Sequence, residues 1–276
     1  MNSSINIYSL SSGSSGNCIL IKTRNAAILM DCGVTGKAAE REIKEAGISP
    51  EQLDAIIVTH EHIDHISGVG VMCRRYKIPV YATIGTWKAM ISSIGRIDPA
   101  LVHYIAADVP FKIKETVVTP FKTSHDAAES IGAVFYSDSG HCGVATDLGT
   151  VTRHIFDLLL PCASVMIEAN HDEQMLINGI YPQPLKERIL SDTGHLSNRV
   201  CGAMCARLAR EGALRNIILG HLSSDNNTPA AAYNAVKESL TREGFTVGKD
   251  ILLTVANRNC ITKAEYGCEY KCNQCG

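Results

Sequence analysis

The segment Thr59-His60-Glu61-His62-Ile63-Asp64-His65 holds four potential metal ligands within six residues, directly after the apolar run Ala55-Ile56-Ile57-Val58. His60 and His62 stand two apart at the end of an extended segment, so both rings point the same way. Asp64 and His65 fall in the following turn and can face a second ion. Imidazole nitrogen and carboxylate oxygen together suit Zn²⁺, Mn²⁺ or Fe²⁺. A polar helix cap with incidental histidines would need no such spacing, so the pattern points to metal. Three more candidates repeat one motif, an apolar run ending in a metal-competent side chain: His125 after TVVTPFKTS, Asp147 after CGVAT and His221 after NIILG. Any one alone reads as a satisfied structural residue; together they supply what a two-metal site needs. Two divalent ions sharing a water generate hydroxide near neutral pH, which Asp64 can hold or orient, and they neutralise charge building on a phosphoryl or carbonyl centre. The chemistry expected is hydrolysis.

Such a set of ligands needs a scaffold that brings many strand ends to one edge. Apolar runs predict strands at 18–22, 26–31, 55–60, 79–82, 101–105, 116–121, 133–138, 142–147, 164–170 and 216–221. A helix is expected over 35–46, where Ala38, Ala39, Ile43 and Ala46 share a face and Gly47 stops it. Further helical patterns run over 83–94, 198–211 and 229–243. Strands dominate each half with helices outside, and neither a linker nor a fixed-period repeat interrupts them.

The bulk properties bound the partners. The 276 residues, 45% of them hydrophobic, suffice for a sizeable core. Lys and Arg number 26 against 28 Asp and Glu, so the formal charge is 26 − 28 = −2. Nucleic acid would therefore be held by a local patch or by bound metal, not by the overall field. The N-terminal MNSSINIYSLSSGSSGNCILIK lacks a basic start, an apolar stretch and a small-residue cleavage site, so no secretory signal is expected. No apolar run is long enough to span a bilayer. The 11 Cys are read as reduced thiols or metal ligands rather than a disulfide framework, and the expected location is cytoplasmic.

HxHxDH followed by single His, Asp and His resembles the metallo-β-lactamase fold over about residues 5–257. The resemblance implies an α/β architecture, an αββα sandwich, with a hydrolase domain over 1–258 and a Cys-rich tail over 259–276. It implies two divalent ions. His60, His62 and His125 would hold the first, Asp64, His65 and His221 the second, and Asp147 would bridge. Asp31, in LMDCG, matches the fold's outer Asp that orients a ligand; read without the resemblance, it is simply a strand-ending turn.

The fold hosts lactamases, thioesterases and nucleases. Three segments narrow the choice: Ser11–Asn17, Glu168–Asp172 and Ser191–Asn198, with the closing GHLSSDNNTP at 220–229. Their order and context resemble the YycJ/WalJ branch of 5′→3′ DNA exonucleases. That implies a DNA substrate with a 5′ end and no membrane partner. Glu168 and His195 also resemble the Glu–His proton donor of transfer-RNA 3′-processing nucleases, which would place Asp64, Glu168 and His195 in catalysis. The plainer reading has His195 capping the helix at 198–211. The Gly/Ser loop can offer N–H groups and hydroxyls to a phosphate, or serve only as a tight turn. Ser14, Ser15, Asn17, Ser197 and Asn198 are the substrate-binding candidates. The chain lacks the long inserted domain of the larger ribonucleases of this fold and an extended tRNA-gripping arm. A glyoxalase-II-like thioester hydrolase and an RNA-processing nuclease stand as alternatives. Against the first stand the Glu168/His195 pair and Lys186, Arg188 and Arg199 near it. The filled ligand set speaks against a non-enzymatic metal-binding regulator. In the tail, Cys260, Cys268, Cys272 and Cys275 suit one closed zinc or iron–sulfur site, or are reactive thiols of an untethered end.

Overall fold

Along the apolar runs, alternate residues serve different cores. Ile19 and Ile21 belong to one cluster while Cys18 and Leu20 belong to another, the period of two that a strand imposes. Because both faces are covered, the strands are apolar almost throughout instead of alternating with polar residues. The structure is a computed structural model that describes residues 5–258 and 260–263.

The first sheet is built from β1 (Asn6–Ser11), β2 (Cys18–Lys22), β3 (Ala27–Met30), β4 (Ala55–Ile57), β5 (Val80–Ala82) and β6 (Val102–Tyr104). The second holds β7 (Phe111–Ile113), β8 (Thr116–Lys122), β9 (Ile131–Ser137), β10 (Gly140–Ala145), β11 (Ser164–Glu168), β12 (Asn216–Gly220) and β13 (Leu252–Val255). The strand β14 (Thr262–Lys263) returns to the first sheet beside β1. The spatial orders are β14-β1-β2-β3-β4-β5-β6 and β13-β12-β11-β10-β9-β8-β7. Ile28, Met30 and Ile57 meet Phe135, Val144, Met166 and Ile218 in the core between the sheets.

Nine helices are described: α1 (Gly36–Glu45), α2 (Ile63–Ile66), α3 (Val69–Tyr76), α4 (Ile84–Ile94), α5 (Arg153–Leu159), α6 (Glu173–Asn178), α7 (Gln183–Leu190), α8 (Asn198–Glu211) and α9 (Pro229–Arg242). Ala39, Ile43, Met72 and Trp87, from α1, α3 and α4, cover the outer face of the first sheet. Phe156, Cys201, Leu208 and Val236, from α5, α8 and α9, cover the second. The result is the expected αββα sandwich. Among the described residues no helix is long and apolar enough to cross a membrane. Cys18, Cys32, Cys73, Cys142, Cys162, Cys201 and Cys205 are buried and form no disulfide.

Strand direction gathers the ligands. β3 and β4 run parallel, as do β10, β11 and β12. β8 is antiparallel to β9, and β9 to β10, so β8 points the same way as β10. Of these, β3, β4, β8, β10, β11 and β12 end at the edge where a candidate ligand or its support follows, and β9 ends at the opposite edge.

Some expectations shift. The ladder of β4 ends at Ile57 instead of His60, because Thr59 O accepts from Ile131 N of β9 at 3.1 Å and so crosses to the other sheet. The short edge strands β7 and β13 and the helices α3 and α5 had too few residues to show a period. The expected boundary at 258 falls inside the sandwich, since Tyr8 and Ser9 of β1 pair with Lys263 and Thr262. Of the tail cysteines, Cys268, Cys272 and Cys275 lie outside the described residues.

The turn after β3 is packed without room for a side chain. Asn17 N donates to Asp64 O at 2.7 Å, Gly33 N to Asn17 O at 2.7 Å, and Cys32 N to His65 O at 2.9 Å. A Cβ on Gly33 would lie 1.6 Å from Asp64 O. Backbone carrying Asp64 and His65 would have to move, so Gly33→Ala is expected to destabilise the protein by about 2 kcal/mol or more. The urea midpoint checks this; an unchanged midpoint would contradict the packing.

Candidate metal centre

Three turns place the chemistry with backbone that ordinary residues avoid. Asp31 follows β3, Asp147 follows β10 and His221 follows β12, with φ of 61°, 53° and 55°. Left-handed backbone costs a non-glycine residue about 1 kcal/mol or more. Hydrogen bonds hold two of these turns: Asp31 N donates to Ile57 O at 2.8 Å, and His221 N to Ser12 Oγ at 2.8 Å.

His60 Nε2 lies 3.1 Å from His62 Nδ1, and His125 Nε2 lies 3.4 Å from the same atom. Next to them, His65 Nε2 lies 3.6 Å from Asp64 Oδ2, and His221 Nε2 lies 3.9 Å from it. Asp147 stands between the two groups. Its Oδ1 is 3.7 Å from His125 Nε2 and its Oδ2 is 3.4 Å from His65 Nε2. Donor atoms of each trio come within 4.8 Å of one another. The ring nitrogens of His60 and His125 both face His62 Nδ1, which can pair with only one of them, and Asp147 Oδ2 is buried with no hydrogen-bond partner. A shared cation satisfies both. These residues therefore fit two divalent ions.

Each group is braced from behind. Asp31 is buried; its Oδ1 accepts from Thr59 N at 2.8 Å, and its Oδ2 from Thr59 Oγ1 and His65 Nδ1, both at 2.8 Å. This fixes the His65 ring with Nε2 toward the centre. Glu168 ends β11 and is buried. Its Oε2 accepts from Leu148 N and Leu196 N, both at 3.0 Å, while its Oε1 meets His195 Nδ1 at 2.8 Å and His221 Nδ1 at 2.7 Å. Four partners leave Glu168 no capacity for a cation, although it sits within reach of one with Asp147, His195 and His221. It is a support shared by a metal-facing imidazole and His195. Asn170 adds a bond to the His221 carbonyl at 3.0 Å.

Charge follows this arrangement. Burial lowers His65, but Asp147 and Asp31 outweigh it and push the imidazole up to about 9. Burial raises Asp64, yet His221 and His65 hold it down at about 2. Burial, with His65 and His125, pushes His60 well below the usual imidazole range. For His195 burial acts downward and the Glu168 charge prevails, raising it.

A cleft of about 310 Å³ opens onto the centre, lined by Ser14, His62, Asp64, His125, Asn170 and His195 among others. Ser15 is exposed beside it. Asn17 is buried: its amide lies 3.0 Å from His65 Nε2 and 3.3 Å from Asp64 Oδ2, so it touches the centre itself. Ser197 and Asn198 do not line the cleft. Ser197 Oγ caps α8 by accepting from Val200 N, a role open to His195 in the plainer reading, and Asn198 pairs with Asn227 at 2.9 Å. Of the nearby cations, Arg188 lines the cleft in an ion pair with Asp126; Lys186 bonds Ile177 O, and Arg199 bonds Glu173. Sequence reasoning missed Asn170, Asp126 and Tyr181 as cleft residues. Asn170 lies within the quoted segment Glu168–Asp172 and Asp126 follows His125, while Tyr181 carried no local signal.

The beta-lactamase superfamily domain matches residues 26–221. An exodeoxyribonuclease YycJ of Bacillus anthracis is 35% identical over 257 residues, covering 93% of this chain and 97% of its own. An exodeoxyribonuclease WalJ of Streptococcus pneumoniae is 37% identical over 243 residues, covering 87% and 90%. Among solved structures, Zn(2+)-bound PqqB from Methylobacterium extorquens superposes with a TM-score of 0.67 at 15% identity, covering 93% of this chain and 99% of that one. That likeness speaks for the fold.

Two outcomes are expected. Asp147→Ala should lose most of both ions and His221→Ala about one, by metal analysis of purified protein; two full equivalents in Asp147→Ala would contradict the bridging position. In the ion-free protein, His65 has its folded pKa raised from 6.5 to about 9. Its stabilisation is complete below 6.5 and lost as pH rises through 9. Urea midpoints of ion-free protein should fall over that window, and saturating metal should abolish the fall.

Proposed function

The chain belongs to the beta-lactamase superfamily, and on that premise we propose that it is a metal-dependent 5′→3′ exodeoxyribonuclease. It is a hydrolase of the metallo-β-lactamase fold, and its relatives over most of its length are exodeoxyribonucleases. The observation that carries the nuclease reading is the buried Glu168 with His195 at 2.8 Å beside the metal-facing histidines.

In this reading His60, His62 and His125 would hold one ion and Asp64, His65 and His221 the other, with Asp147 available to both. When bound, two divalent ions acidify water and neutralise charge on phosphoryl oxygens. The imidazole and carboxylate donors suit Zn²⁺, Mn²⁺ or Fe²⁺. The remaining work falls to the protein. Glu168 keeps a proton on His195 Nδ1, so Nε2 is the nitrogen left to serve the cleft. From there His195 gives a proton to the departing sugar oxygen. The Asp64 carboxylate, 22% exposed, accepts a hydrogen bond from the attacking water. Ser14 and Ser15, on the loop at the cleft edge, meet the DNA backbone. The same reading takes the cytoplasm as the place where the protein works.

The decisive assay uses 5′-labelled and 3′-labelled DNA with Mn²⁺ and with Zn²⁺. Nucleotides released first from the 5′ end are expected. Release from the 3′ end, or turnover confined to thioesters or RNA, would overturn the reading. His195→Ala should keep its metal and lose about 10²–10⁴-fold in turnover on DNA. A nitrophenyl phosphodiester, whose leaving group needs no proton, should suffer much less. Equal losses on both would make His195 structural.

A further inference from the structure

The metal cleft has a neighbour. Across a wall formed by Leu222 and Ser223, a second cleft of about 360 Å³ is lined by Ser12, Ser224, Asn227, Thr228 and Arg258. Leu222 follows His221, so the wall stands one residue from a metal-facing imidazole. Arg258 Nη2 donates to Leu222 O at 2.9 Å, which anchors the guanidinium in the wall. Gly13, with φ 111°, lies against it: a Cβ there would come within 3.3 Å of Leu222 O and 3.8 Å of Arg258 Cζ. The Gly/Ser loop thus separates the two clefts, with Ser14 on the metal side and Ser12 on the other.

Among the described residues no carboxylate stands within 4.0 Å of the Arg258 guanidinium, whereas Arg188 in the metal cleft is neutralised by Asp126. Asp225 feels the charge of Arg258, but its carboxylate takes the hydroxyls of Tyr181 at 2.8 Å and Ser224 at 2.9 Å. A guanidinium has five N–H donors, and the bond to Leu222 uses one. Ser12 and Ser224 line the same space, the Ser12 hydroxyl accepting from His221 N and the Ser224 hydroxyl donating to Asp225. The amino end of α9 opens onto it and adds partial positive charge.

We infer that Arg258 and this second cleft bind the terminal 5′-phosphate of the DNA strand, with the terminal nucleotide lying across the Leu222–Ser223 wall. The inference rests on the reading of the chain as a 5′→3′ exodeoxyribonuclease. A terminal phosphate monoester carries about −1.5 to −2 charges at neutral pH, more than any internal diester. A pre-anchored guanidinium with no described carboxylate in contact therefore selects the end over the body of the strand.

The test compares duplex DNA bearing a 5′-phosphate with the same duplex bearing a 5′-hydroxyl. The wild type is expected to show a KM about tenfold or more lower for the phosphorylated end. In Arg258→Ala the ratio of the two KM values should collapse toward one, and the slope of log KM against log salt should fall by about one. Arg258→Lys keeps a cation without the planar fork and should return an intermediate ratio. An arginine that merely braced the loop would weaken both substrates equally. That result, or a wild type with equal KM on both ends, overturns the phosphate site and leaves the nuclease reading standing. A wild type inert on DNA overturns both.

Discussion

The four-partner carboxylate of Glu168 is the interaction on which the catalytic edge depends. A buried carboxylate is tolerated only when its lone pairs are taken up by donors. Glu168 meets this with one backbone N–H from the loop after β10, another from the segment before α8, and the rings of His195 and His221. The turns after β10 and β12 and the loop carrying His195 are thereby held on one side chain at the end of β11. Packing alone would set these loops only loosely, because loops bury little apolar surface. Asp31 does the same for the first sheet, joining the end of β3 to Thr59 and His65. The candidate centre is suspended between two buried carboxylates, one per sheet, with Asp147 between the ligand groups.

This arrangement explains where the backbone carries strain. Asp31, Asp147 and His221 all take left-handed φ immediately past a strand. Such a turn ends the ladder abruptly and swings the side chain toward the centre in place of continuing along the sheet. Glycine would adopt it more cheaply, but glycine has no ligand to offer. The cost is offset by the rigid cores on both sides, which leave the turns few alternatives.

A nuclease of formal charge −2 must place its cations locally. Most arginines lie in surface ion pairs, such as Arg207 with Glu211 and Arg210 with Glu243, which contribute little net field. The local positive character lies in the candidate ion positions and Arg258, all beside the wall at Leu222.

The sequence by itself determined the candidate ligand types, the strand ends that carry them and strands in each half with helices outside; the four-layer class came with the family resemblance. The reason is physical: HxHxDH and the apolar runs before Asp147 and His221 are local signals, and burial on both faces writes strands as continuous hydrophobic stretches. The helix at 198–211 was legible through its period, although its cap is Ser197 and not His195. Partnerships between distant residues were decided only by the tertiary structure. That Glu168 serves His221 as well as His195, that Asn17 touches His65, that Ser197 bonds Glu173 and that Asn198 is spent on Asn227 depend on contacts across 24 to 53 residues. The same holds for Arg258, which is 36 residues from the carbonyl that anchors it and gives no local sign of its place. A hydrogen bond is directional and short in range, so its partners are set by how the two sheets stack and not by their neighbours in the chain.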